Sequence, residues 1–420
     1  MKHHWIKTLL GITLMSQLLA CDYVTDSQNK AKTLTAEIAP EALHQHETMP
    51  YKKGRKIITL SDPSMPFTME GRVHFIDAEN NRYLGMLNTG YWYGGVVLPK
   101  TRNEIISPES YFSRGTRGTR TDVVTFYDPK TLQPTGEVEI PNKRMTPVKP
   151  QGTTALSDDE KFLLIVNLTP ATSISVVDLD ERKFVGEIAT PGCTHVYPAG
   201  NRNFNVICGD GSFMGLSLDE QGNLKQQIRR EPLFEAKDDP VTNAAIRVGN
   251  TWYHLSRNSN VHAFTHQGQN LSAAPSWSLL TDSQRDDNWR IAGHQHLAIH
   301  EESRRLYALM IQGEPEMFED PATEVWVFDL DSHERVQVME LEHEALSLSI
   351  DQGSNPQLYI VGVDLQIPFI VAAWLYLTEG MDKIYRMATF SFDTYDIASG
   401  QLKHSMPKVG NFPNLVQPWQ

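Results

Sequence analysis

The chain has 420 residues, 40% of them hydrophobic, and a formal charge of −13. That length and apolar content suffice for a large buried core. The acid excess repels nucleic-acid phosphates and anionic headgroups and excludes nucleic acid as a partner; the basic clusters Lys52-Lys53-Gly54-Arg55-Lys56 and Arg114/Arg117/Arg120 are too small to reverse it.

Residues 1–20 read as an export signal peptide. Lys2 and Lys7 form its charged start, and Thr8 to Ala20 is apolar but too short to span a bilayer. Leu18-Leu19-Ala20-Cys21 resembles a bacterial lipoprotein cleavage site, which makes Cys21 a lipidated N-terminus and the protein periplasmic and membrane-anchored. The alternative is ordinary cleavage near Ala20, leaving Cys21 a free thiol. Residues 21–56 are polar and read as a flexible N-terminal arm or tether.

From residue 57 to 420 one phrase recurs: alternating apolar residues closing on an aspartate or a turn. Its copies are Val73 to Asp77, Val124 to Asp128, Ile174 to Asp178, Met214 to Asp219, Val261 to Thr265, Val325 to Asp329 and Phe392 to Asp396. The closing positions lie 41 to 67 residues apart. Short strands at a period of about 40–50 residues mark propeller blades. Seven copies predict an all-β, seven-bladed β-propeller forming one closed domain, because each blade buries its faces only against its neighbours. The terminal stretch Asn411 to Gln420 is expected to complete the first or last blade.

Cys193 and Cys208 flank the turn-like Pro198-Ala199-Gly200-Asn201. A hairpin folded there sets the two cysteines opposite each other, within reach of a disulfide in an exported chain. The alternative is two buried free thiols. Residues 366–389 break the rhythm with the run Ile367 to Leu377, too short to cross a bilayer. This apolar insertion either packs on the propeller or forms an exposed docking patch.

No catalytic motif stands out. There is no Gly-x-Ser-x-Gly elbow, no phosphate-binding Gly-x4-Gly-Lys-Ser/Thr and no Cys-x-x-Cys-His. Ser113 to Arg120 imitates a glycine-rich loop but reads as a bend whose arginines pair with blade aspartates. His294, His296 and His300 alternate onto one strand face, but no acid or thiol nearby completes a metal site. Asp158-Asp159 and Asp238-Asp239 read as turn formers.

Several phrases, in this order, resemble the large subunit of the quinoprotein amine dehydrogenases, the methylamine and aromatic amine dehydrogenase family. They are Tyr111-Phe112-Ser113-Arg114-Gly115 through Tyr127-Asp128-Pro129, Pro170-Ala171-Thr172-Ser173-Ile174, Gly192-Cys193 with Ile207-Cys208-Gly209-Asp210-Gly211, Lys237-Asp238-Asp239-Pro240, Trp277-Ser278-Leu279-Leu280 through Asn288-Trp289, and Glu344 to Asp351. The similarity covers roughly residues 70–365. The resemblance implies a seven-bladed propeller with a disulfide at Cys193 and Cys208. It implies a heterotetramer of two large and two small subunits that deaminates primary amines to aldehyde and ammonia. The cofactor, tryptophan tryptophylquinone, would belong to the small subunit, with none in this chain, and electrons would pass to a blue copper protein or a c-type cytochrome. Catalytic residues and a metal site are therefore not expected here. Thr89-Gly90-Tyr91 matches the point where the family places a phenylalanine near the substrate channel, so Tyr91, with Trp92, would shape amine entry. The alternative is loop aromatics packed between blades. The 366–389 insertion and the lipoprotein-like start depart from the family pattern. They fit either a membrane-tethered variant or an exported lipoprotein propeller that scaffolds another envelope complex.

Overall fold

The computed structural model describes residues 48–50, 55–64, 68–364, 371, 374, 378 and 387–419. The expected signal peptide, Cys21, most of the expected arm and nearly all of the expected 366–389 insertion lie outside the described residues. Thr48 to Pro50 belong to the same compact body as the strands. Met49 is buried there with Ile57, Val73 and Phe75, and its N–H donates to Lys130 O at 2.7 Å.

The body is an all-β, propeller-like fold of antiparallel sheets. Each copy of the recurring phrase lies on a strand with a hydrogen-bonded neighbour on both sides, from Glu70–Asp77 in the first sheet to Thr389–Asp396 in the last. Sequence pattern follows position in the sheet. Phe162–Asn167 and Ser173–Asp178 are central and buried at every residue; the first is apolar through Val166, and the buried Ser173 and Ser175 of the second accept from the Asn167 amide. The edge strand Lys183–Ala189 beside them is largely exposed. Central strands are covered on both faces, whereas an edge needs only one apolar face. Full burial of each leucine, isoleucine or valine contributes about 1.5–3 kcal/mol.

The closing aspartates are explained by the turns that follow them. Asp128 Oδ1 accepts from the N–H groups of Lys130 and Thr131, both at 2.8 Å. Asp178 does the same for Asp180 and Glu181 at 2.9 Å, and Asp329 for Asp331 and Ser332 at 2.9 Å. A short carboxylate capping two backbone donors stabilises a tight return.

The C-terminal strand Leu415–Trp419 pairs antiparallel with Ile57–Asp62, with Thr59 opposite Gln417. The last strand thus completes the first sheet and ties the chain ends together. The hairpin expected around Gly200 is present: Cys193–Pro198 pairs with Asn203–Cys208, Cys193 stands opposite Cys208, and the two are joined by a disulfide. Gly200 and Asn201 take positive φ (89° and 49°) at the turn. Two features escaped the pattern. Arg335–Ile350 is one 16-residue strand that leaves one antiparallel set and enters the next without a break. And of the three arginines in the Ser113 to Arg120 bend, only Arg120 meets an aspartate, Asp122 at 2.7 Å; Arg114 and Arg117 are exposed at the hairpin tip, where no aspartate stands opposite them.

Candidate functional site

The segments that link one strand set to the next, Trp92 to Gly94 and Pro141 to Pro150 among them, come together at one end. Contacts across that end confirm the grouping. Arg144 Nη1 donates to Tyr93 O at 3.4 Å, Lys149 pairs with Glu319 at 2.6 Å, and His294 packs edge-on against Phe412 at 5.6 Å.

Tyr91 and Trp92 lie here, where the strand Arg82–Tyr91 hands the chain to the next sheet. Gly90, at φ 78°, makes the crossing possible: a Cβ would stand 2.6 Å from Ser110 O, so no other residue allows this approach. Gly90 pairs with Ser110 in a single parallel bridge, which sets Tyr91 over the neighbouring strand. Its ring meets Phe112 edge-on at 4.9 Å and Trp92 edge-on at 6.0 Å, and Trp92 stacks on Tyr93 at 6.1 Å. Trp92 holds φ 64°, a conformation a bulky aromatic adopts only at a cost of about 1–3 kcal/mol. Tyr91, Trp92, Tyr93 and Phe112 are all half-buried and form an aromatic rim. The sequence singled out the first two. Phe112 and Tyr93 were missed as rim members, although Tyr111-Phe112 stood among the landmark phrases.

Beneath the rim is a polar network. Glu109, fully buried, accepts from Thr125 Oγ1 and Tyr111 Oη at 2.7 Å and from Tyr127 Oη at 2.8 Å. Burial raises its pKa, and the hydroxyl donors only partly offset that. Burial and the adjacent Glu109 raise both tyrosines. Asp122 holds Arg120 through two oxygens at 2.7 and 2.8 Å and accepts the Arg144 N–H at 2.9 Å. Burial pushes the Arg144 guanidinium down to about 10, so it stays charged at neutral pH. Such a network positions groups rigidly.

The histidines of the sequence reading go separate ways. His296 shares a hydrogen bond with Thr242 Oγ1 at 2.7 Å, His300 with Ser303 Oγ at 2.8 Å, and His294 faces Phe412. Among the described residues no group of three His, Cys, Asp or Glu converges as a metal site. Asp158 pairs with Arg247 at 2.7 Å, Asp159 with Arg202 at 2.8 Å, and Asp239 accepts from Asn258 N at 2.9 Å and Asn260 Nδ2 at 2.7 Å. These aspartates brace turns and neighbouring loops. The Cys193–Cys208 disulfide sits where its hairpin opens, beside Arg229, whose Nη2 pairs with Asp210 at 2.8 Å. Along the axis runs a cavity of about 780 Å³ lined by residues from well-separated parts of the chain, including Gly95 to Leu98, Pro150 to Asp158 and Leu415 to Gln417.

Solved structures share the fold at low identity. A putative 6-phosphogluconolactonase from Bacteroides uniformis superposes with TM-score 0.54 at 10% identity, covering 87% of this chain and 99% of that one. A functionally unknown protein from Desulfotomaculum acetoxidans gives TM-score 0.54 at 11% identity, covering 86% and 98%. In sequence the chain is 28% identical over 419 residues to the methylamine dehydrogenase heavy chain of Methylophilus methylotrophus, covering 97% of this chain and 93% of the relative. The heavy chain from Methylorubrum extorquens is 28% identical over 299 residues, covering 70% and 72%. The family model for the methylamine dehydrogenase heavy chain matches residues 54–384. The aromatic rim, the disulfide hairpin and nearly the whole strand array fall inside that match, and the chain belongs to the methylamine dehydrogenase heavy chain family.

Proposed function

We propose that this chain is the large, non-cofactor-bearing subunit of an amine dehydrogenase that converts primary amines to aldehyde and ammonia. The observation that carries the reading is the family match across residues 54–384, together with an aromatic rim over a rigid polar network. The tryptophan tryptophylquinone of a small partner subunit would supply the amine oxidation. By this reading the group belongs to that partner and not to this chain. Its close tryptophan pair, Trp289 and Trp326 at 4.9 Å, is packed in the core, with the Arg335 guanidinium 4.1 Å above Trp326. The work of this chain is therefore to hold the partner, exclude water and shape the approach of the amine. Tyr91 and Trp92 line that approach.

The assembly is two large and two small subunits, with a blue copper protein or a c-type cytochrome as electron acceptor. The propeller has seven blades. Support for the count comes from separating the first sheet at the lone Gly90–Ser110 bridge and dividing Arg335–Ile350 between two sets; seven antiparallel sets then remain. Residues 1–20 direct export to the periplasm, the tether is the part of residues 21–56 that precedes Thr48, and Cys21 carries a lipid anchor. The test is an assay of purified chain, partner and their mixture for amine-dependent reduction of a redox dye. Activity that needs both chains supports the reading. Activity in this chain alone, or none in the mixture with any primary amine tried, overturns it.

A further inference from the structure

Arg144 is a buried cation whose neighbouring carboxylates are committed elsewhere. The residue is 7% exposed. Its Nε donates to Ser110 Oγ at 3.1 Å and its Nη1 to Tyr93 O at 3.4 Å. Its Nη2 is buried and meets no acceptor among the described residues. Asp122 is engaged by Arg120 and by the Arg144 backbone N–H, and Glu109 by three hydroxyls. An arginine does not escape burial by losing its proton, so an unpaired one in a low-dielectric interior is costly.

A second unmet group faces the same cavity. Gln151 stands at the second position of the turn Pro150 to Thr153, closed by Thr153 N to Pro150 O at 3.1 Å. Gly152 holds φ 69° at the third position, as a type II turn requires, and its missing side chain leaves room for His195. The turn fixes the Gln151 backbone, yet both Oε1 and Nε2 are buried without partners among the described residues. Either orientation of the amide leaves one donor and one acceptor unmet. Arg144 and Gln151 both line the axial cavity of about 780 Å³.

The unmet groups specify a ligand. Two donors, one of them cationic, call for a single negative charge with acceptor oxygens. The amide oxygen calls for a donor beside it. Water satisfies hydrogen bonds but brings no charge to Arg144 Nη2, and the other cations of the lining, Lys100 and Arg247, are matched there by the acids Asp158 and Glu160, so one negative charge suits the site better than two. We propose that the axial cavity at Arg144 and Gln151 binds a small carboxylate carrying an adjacent hydroxyl or ammonium group. Two sources share this chemistry: a free metabolite-sized acid, or a carboxylate presented by a partner chain.

Glycolate serves as the probe, titrated calorimetrically into the purified full-length chain and into its complex with the partner subunit. Saturable one-site binding with Kd below about 1 mM is expected for the chain alone. Gln151→Leu, a half-buried turn position, should keep the melting temperature and weaken glycolate at least about tenfold. Arg144→Lys should abolish binding; should that variant fail to fold, Gln151→Leu decides alone. Binding retained in the complex identifies a free acid as the occupant, whereas binding lost in the complex identifies a group of the partner chain, and both support the site. No saturable heat up to about 10 mM glycolate, or unchanged binding in Gln151→Leu, means the cavity holds water only and overturns the proposal.

Discussion

Tyr91 stands edge-on to Phe112 with ring centroids 4.9 Å apart, joining the end of one strand to the end of another across a single Gly90–Ser110 bridge. The pair narrows the rim at the end of the axis where the linking segments gather. Edge-to-face aromatic pairs contribute about 0.5–1.5 kcal/mol beyond burial, enough to hold the Tyr91 ring in one place.

Tyr91→Ala therefore opens the rim. In the assembled complex, the ratio of kcat/KM for a bulky aromatic amine to that for methylamine is expected to change several-fold, with folding intact; about 1–3 kcal/mol is the range for reshaping an apolar pocket. Phe112→Ala should shift the ratio the same way by less, since it only releases Tyr91. An unchanged ratio in both variants would remove Tyr91 from the channel.

Asp62 latches the chain ends. Its carboxylate accepts from Ser64 N at 2.6 Å, Asn411 N at 2.7 Å and Phe412 N at 3.0 Å, and His74 Nε2 lies 3.2 Å away. These donors and His74 hold its pKa below the usual carboxylate range, although burial alone would raise it. Asp62→Ala leaves several buried N–H groups unpaired, at about 1–3 kcal/mol each. A loss of roughly 3–5 kcal/mol in denaturant unfolding is expected, with faster amide exchange in Leu415–Trp419. Equal exchange in that strand would show that strand pairing alone closes the ring.

Much of this fold was legible because its rules are local. Each closing aspartate caps its own turn, so Asp128 and Asp178 carry their signal within three residues. Cys193 and Cys208 were pairable because the hairpin between them turns at Gly200-Asn201. The site was less legible because its contacts cross the axis. Arg144 meets Tyr93 and Ser110, and Lys149 meets Glu319, over separations no periodicity encodes. The unbroken strand Arg335–Ile350 was hidden for a related reason: one run of alternating residues serves two antiparallel sets, and no Gly, Pro, Asn or Asp marks the change near Glu340 to Glu344. Arg114 and Arg117 misled because arginines near aspartates in sequence need not face them in a hairpin tip.

The disulfide closes a 15-residue separation. A loop of that size restricts the unfolded chain by about 3 kcal/mol in the chain-entropy account. Cys193→Ala/Cys208→Ala should lower unfolding free energy by roughly 2–4 kcal/mol, measured with and without reductant. The reductant should destabilise the parent chain and leave the double variant unaffected. A parent chain insensitive to full reduction would contradict this.

Two buried histidines set a stability trend with pH. Burial lowers His254 to about 3 and His296 to about 4. Both are neutral in the folded chain, while the unfolded chain takes up their protons near pH 6.5. The unfolded state therefore binds more protons below that point, and stability falls as pH drops from about 6.5 toward 4. Each histidine costs about 1.4 kcal/mol per pH unit, or about 2 kcal/mol at pH 5. Thermal unfolding should show a Tm that declines steadily from pH 7 to pH 5, with a shallower slope in His254→Gln. A Tm that holds level or rises over that range would mean these rings are charged in the fold.

The central claim is that this chain scaffolds a quinone-bearing partner. The most direct measurement is the visible spectrum of the complex purified natively through a C-terminal tag from cells grown on an amine. The account predicts a small cysteine-rich chain in stoichiometric amount and a quinone absorbance that bleaches when amine is added. A colourless chain purified alone, with no spectral change for any amine, would contradict it.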